Sequence, residues 1–96
     1  MKPSIALRTH PEDLHALIRR FRVTNPRVFG SVLHGTDIEG SDLDLLVDPL
    51  PETTLFDLGG LQVMLEELLG VAVDVKTPGD LPARFRDAVL REAKPL

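Results

Sequence analysis

Residues 42 to 47, Asp42-Leu43-Asp44-Leu45-Leu46-Val47, set two carboxylates into a run otherwise made only of leucine and valine. Leu43, Leu45 and Val47 alternate with Asp42, Asp44 and Leu46, the period-two pattern of a strand with one face in a core. Side chains two apart on a strand share a face, so both carboxylates point the same way, about 6.6 Å apart along the backbone. Unpaired carboxylates on a half-buried strand repel each other, and one tends to take up a proton unless positive charge lies between them. Mg²⁺, which takes one or two carboxylates together with substrate phosphate oxygens, removes that conflict. Taken alone, the pair reads equally as a solvated strand end, with Asp42 a turn residue and Asp44 an edge charge.

A second polar segment lies just upstream. Val28 and Phe29 are β-formers after the turn residues Asn25-Pro26, so a short strand is expected to end at Gly30 and the chain to enter a helix near Ser31. Glycine lets a backbone approach a phosphate closely, a helix start offers free N–H groups, and Ser31 adds a hydroxyl. A lone Gly-Ser is equally a capped strand-to-helix turn. Here Ser31 stands eleven residues before Asp42, close enough for the two segments to face each other across adjacent strands.

A third carboxylate follows later. Val71-Ala72-Val73-Asp74-Val75 reads as a strand from its β-branched content, bounded by Gly70 and Thr77-Pro78-Gly79. A charge inside so apolar a segment is not expected to be buried unpaired. Either Asp74 lies at a solvated edge or it faces the Asp42 and Asp44 pair.

Gly30-Ser31, Gly35 and Ser41-Asp42-Leu43-Asp44-Leu45 together resemble the signature of the DNA polymerase beta-like nucleotidyltransferase superfamily. The chain length and the order of segments from Leu55 to Asp80 are similar to its minimal nucleotidyltransferase branch, the antitoxins of HEPN-domain toxins. The resemblance runs from about residue 10 to the end of the chain. It implies an α/β (α+β) fold, a mixed sheet of three or more strands with helices packed on it. It also implies that Gly30 and Ser31 hold nucleotide phosphates, that Asp42, Asp44 and Asp74 bind metal, and that Asp74 acts as general base. The implied cofactor is Mg²⁺, as two ions, with Mn²⁺ a possible substitute. The implied reaction moves AMP from ATP, or another nucleoside monophosphate, to a hydroxyl of a HEPN toxin. Members of this branch often carry basic residues between Gly-Ser and the next glycine, where this chain has Val32, Leu33 and His34. That departure favours an alternative, an antitoxin that neutralises its toxin by contact alone, with His34 the one group in the segment able to meet a phosphate.

Ninety-six residues are expected to make one domain, 1–96, with room for one sheet and its helices. There is no cysteine, and no apolar run approaches the roughly 20 residues of a membrane span, which together suggest a cytoplasmic protein. Residues 1 to 29 hold six basic and two acidic residues, residues 30 to 75 ten acidic and no basic, and residues 76 to 96 five basic and three acidic. An acidic middle without Lys or Arg is a poor surface for a nucleic-acid backbone, whose binding needs cations, but it suits a metal ion.

The remaining segments read as helices. Thr9-His10-Pro11-Glu12 matches a capping box, and Leu14, Leu17, Ile18 and Phe21 follow at helical spacing, predicting a helix over about 10–22. Thr54 and Asp57 can cap a second helix that closes at Gly70, although Gly59-Gly60 inside it costs about 1 kcal/mol per glycine relative to Ala. A last helix is expected to begin with Asp80 as N-cap and to bury Leu81, Phe85, Ala88 and Val89. Asp37, Glu39 and Ser41 also resemble the start of a calcium loop, but the sixth position is Asp42 where such a loop needs glycine.

Overall fold

The apolar run at residues 43 to 47 needs hydrogen-bonding partners along both edges, and it finds them. The computed structural model describes residues 1–96. In chain order the elements are α1 (Pro3–Thr9), α2 (Pro11–Arg19), β1 (Val23–Phe29), α3 (Gly30–His34), β2 (Leu43–Pro49), α4 (Leu55–Leu69), β3 (Val73–Lys76), a 3₁₀ turn (Pro78–Asp80), α5 (Ala83–Glu92) and β4 (Lys94–Pro95). The strands form one sheet in the order β3-β2-β1-β4. β2 runs antiparallel to β1 and parallel to β3, so the expected mixed sheet is present, with four strands.

One face of β2 builds the core. Leu43, Leu45 and Val47 are inaccessible and pack in a cluster with Leu14 and Ile18 of α2 and with Leu61, Leu65 and Leu69 of α4. The other face carries Asp42, Asp44, Leu46 and Asp48 by alternation, so only Leu46 is apolar there. Leu46 is nevertheless inaccessible, and the 3₁₀ turn lies against β2 with Leu81 buried beyond it.

α5 buries less than its sequence suggests. Leu81 is buried, but Phe85 is half exposed and Ala88 and Val89 are only partly covered. Nor is Asp80 the N-cap of this helix. It closes a capping box with Thr77 around the 3₁₀ turn, and Pro82 precedes the first residue of α5.

The N-terminal helix also differs from expectation, because the chain forms two helices broken at His10. A residue before proline is pushed out of the helical region, and His10 has φ −139° and ψ 56°. Thr9 Oγ1 donates back to the Ala6 carbonyl at 2.7 Å and caps nothing. Thr54 and Asp57 do form the reciprocal capping box, and Gly70, at φ 71°, ends α4 as expected. Gly60 sits where a Cβ would come within 3.0 Å of the Phe21 ring, so its missing side chain lets α4 close onto the turn after α2.

Candidate active site

β-sheet register brings the carboxylates together. Asp44 is the Cα partner of Asp74 across the parallel β2/β3 pair and of Phe29 across the antiparallel β2/β1 pair. Residues paired in register point to the same face, so Asp44 and Asp74 are neighbours on the face away from the core. Asp42, two residues earlier and just before β2, shares that face and is exposed.

The mutual repulsion is legible at Asp44. Burial, followed by the charges of Asp74 and Asp42, holds its carboxyl above the usual value of 3.8, and the Lys76 ammonium only partly offsets this. Lys76 follows Asp74 by two residues, shares its face, and places Nζ 3.5 Å from Asp74 Oδ1. Sequence reasoning passed over Lys76, although its i, i+2 spacing to Asp74 was a readable signal.

Gly30 lies against Asp44 from the β1 side. It follows the last residue of β1 and opens α3 with φ +71°, and a Cβ built on it would lie 2.2 Å from Asp44 Oδ2. The Asp44 carboxylate therefore occupies the space that the side chain of any other residue at this position would need. Ser31 follows in the first turn of α3, which closes at Gly35 in the left-handed region with the Thr36 amide donating to the Ser31 carbonyl at 2.9 Å. His34, at the far end of α3, puts Nε2 3.3 Å from Glu92 Oε2, so it faces the C-terminal helix instead of the carboxylates.

Side chains outside the site hold its frame. β3 is an edge strand, and the amides of Val73 and Val75 donate to Glu66 Oε2 at 3.0 Å and Gln62 Oε1 at 3.2 Å, both on α4. These two bonds fix the residues on either side of Asp74. The loop into β2 is fixed by Asp37, whose Oδ2 accepts from the Ser4 amide at 2.9 Å in the first turn of α1. That bond holds the Asp37 carboxyl below its usual value. The N-terminal amine pairs with Glu39 of the same loop. The calcium-loop match has no bearing on Asp37, which serves a helix start instead.

The donor set suits a hard divalent cation, since all three groups are carboxylates on one face and cationic charge would relieve Asp44. No three His, Asp or Glu side chains yet converge closely enough to hold an ion. For the three to share an ion, Asp74 would have to leave Lys76.

The chain is similar to known proteins in sequence and in fold. A profile of the nucleotidyltransferase domain matches residues 13–96. The protein adenylyltransferase MntA of Thermococcus cleftensis is 37% identical over 86 residues, 90% of this chain and 84% of that protein. A Methanocaldococcus jannaschii protein named as a candidate protein adenylyltransferase is 35% identical over 77 residues, 80% of this chain and 83% of its own length. Among solved structures, one of a candidate minimal nucleotidyltransferase superposes with a TM-score of 0.85 at 45% identity, covering 97% of this chain and 95% of that one. A crystal structure of a toxin–antitoxin with AMP-PNP superposes with a TM-score of 0.72 over 85% of this chain and 68% of that one, a likeness of fold at 21% identity.

Proposed function

This chain belongs to the nucleotidyltransferase domain family, and from that premise we propose that it transfers AMP from ATP to a hydroxyl on a HEPN-domain toxin, acting as its antitoxin. One observation carries the reading: Asp44 and Asp74 stand in register on adjacent strands, with the backbone of Gly30 against the Asp44 carboxylate. The adenylyltransferase relatives support AMP as the group moved. The fold neighbour from a toxin–antitoxin structure with AMP-PNP is in keeping with a toxin partner and an adenine nucleotide. The HEPN class of that partner comes from the resemblance of the sequence.

Mg²⁺ held by Asp42, Asp44 and Asp74 would supply the positive charge that offsets the phosphates in the transfer. Asp42 and Asp44 would hold both ions and Asp74 one. Gly30 and Ser31, with backbone N–H groups and a hydroxyl, cradle the leaving diphosphate. Asp74 accepts the proton of the acceptor hydroxyl as its oxygen bonds to the α-phosphorus and the bond to the bridging oxygen breaks. Lys76, beside Asp74, offsets the carboxylate charge until the substrate arrives.

A second reading, neutralisation by contact alone, is favoured by Val32, Leu33 and the Glu92-paired His34, which leave the Gly-Ser segment without a free cation. Incubation with a HEPN partner and Mg²⁺-ATP separates the two. Transfer adds the mass of AMP to the partner, and Asp44→Asn abolishes the addition while the complex still forms. A complex that silences the toxin with no mass change overturns transfer and leaves the contact reading.

A further inference from the structure

The first turn of α4 exposes two large apolar side chains beside the site. Leu55 is 84% and Phe56 92% exposed, far more than any other large apolar residue. The Thr54–Asp57 capping box fixes this turn, and its hydrogen bonds use neither side chain. One turn on, Gly59 adds a cost of about 1 kcal/mol relative to Ala in a helix interior. Gly60 has an internal reason in Phe21, but a Cβ on Gly59 would meet nothing within 4 Å. Two exposed side chains and an empty notch therefore stand together without a role inside the chain.

Leu55 and Gly59 open on the site, with Phe56 beside them on the same turn. A cavity of about 430 Å³ has Leu55, Gly59 and Gln62 on one wall and Asp74, Lys76 and Asp80 on the other. No Lys or Arg occurs between Arg27 and Lys76, and Lys76 is committed to Asp74. The charged groups on the cavity wall are Asp74 and Asp80 against the single Lys76, which leaves the wall acidic.

We infer that Leu55, Phe56 and the Gly59 notch dock the acceptor protein, through a segment that presents its hydroxyl among cationic side chains with an apolar residue seated at Gly59. The inference rests on the transfer reading, since Asp74 on the opposite wall is then the group that meets the hydroxyl. Charge complementarity selects a basic segment. A nucleobase is disfavoured as the occupant, because Phe56 is not part of the cavity wall and a base inside the cavity would leave it bare. A protein surface covers both features, as aromatic anchors at interfaces do.

Titration of the ¹⁵N-labelled protein with a short lysine-rich peptide carrying one tyrosine and one leucine, and with its glutamate-for-lysine counterpart, tests this. The lysine peptide is expected to shift residues 55, 56 and 59 and the glutamate peptide to shift none of them. Phe56→Ser and Gly59→Leu should each weaken the lysine peptide by about tenfold or more. Mg²⁺-ATP affinity should be unchanged in both variants. Equal binding of both peptides, shifts that miss α4, or Mg²⁺-ATP shifting residues 55 to 59 would overturn the docking surface. The readout needs no turnover, so a protein that binds the lysine peptide at α4 but never adds AMP to a partner loses the transfer reading and keeps the surface.

Discussion

Gly30 and Asp44 are in contact across the β1/β2 pair so closely that a Cβ on the glycine would overlap the carboxylate, 2.2 Å from Oδ2. The left-handed φ of +71° makes a side chain costly there even without the overlap. Gly30→Ala is expected to lose about 1–2 kcal/mol from the backbone conformation alone. Relief of the overlap must move Asp44, so AMP transfer should fall further than stability does. A denaturant melt alongside a labelling assay checks both, and unaltered labelling would show that Asp44 has room to spare.

Asp44 is held where its charge is least welcome, half buried and beside two other carboxylates. Asp44→Asn removes that repulsion and keeps the shape, so the metal-free variant should melt higher than the wild type. In excess Mg²⁺ the order should reverse, because an ion bound only by the folded wild type stabilises it by mass action. Differential scanning calorimetry with and without Mg²⁺ reads the crossover. A variant less stable than the wild type in chelator would mean that Asp44 is satisfied by the chain itself.

The centre of the sheet and the outline of the site were legible in the sequence for local reasons. Alternation at 42 to 47 marks a one-sided strand, and Thr54, Asp57 and Gly70 mark both ends of α4 through bonds made within a few residues. The pairing of Asp44 with Asp74 depends on how the α4 crossover sets β3 in register, which no local pattern encodes. The same distance hid the Asp37–Ser4 bond, 33 residues apart, and the Glu66 and Gln62 supports of β3. At Thr9 the pattern misled, since a capping-box spacing was present but Pro11 decided the conformation of His10.

Glu66 and Gln62 close the outer edge of β3, and their loss should be felt at Asp74 between them. Glu66→Ala leaves the partly buried Val73 amide without its partner, a cost of about 1–3 kcal/mol. Hydrogen exchange should rise at Val73 and Val75 ahead of β2. If β3 and β2 exchange together at the wild-type rate, the α4 side chains are not what holds the edge.

Asp37 links acid sensitivity to the N-terminal helix. Asp37 is 7% exposed as a residue, and its carboxylate accepts from the Ser4 amide, which holds its pKa below 3.8 in the folded chain. A depressed carboxyl adds stability that is fully present above 3.8 and disappears as pH falls through the folded-state value. Asp37→Asn should therefore melt lower than the wild type at neutral pH, and the gap should close as the pH drops below 3.8. A gap that stays constant with pH would assign the effect to packing instead of charge.

Nucleotide affinity should be weak and metal-dependent in the isolated chain. The segment from Gly30 to Gly35 contains no Lys or Arg, and its one potential cation, His34, lies 3.3 Å from Glu92. Lys76, the cation nearest the carboxylates, is paired with Asp74. ATP phosphates brought to this face meet Asp42, Asp44 and Asp74 before any free positive charge, so binding without a divalent ion must overcome repulsion. Calorimetry should register ATP only when Mg²⁺ or Mn²⁺ is present. His34→Arg, with a permanent charge and a planar fork suited to phosphate, should raise affinity several-fold in Mg²⁺ if it can escape Glu92, and Glu92→Gln in the same chain should raise it further. Tight ATP binding in chelator would place the phosphates elsewhere, with Arg91 and Lys94 beside His34 as the first residues to change.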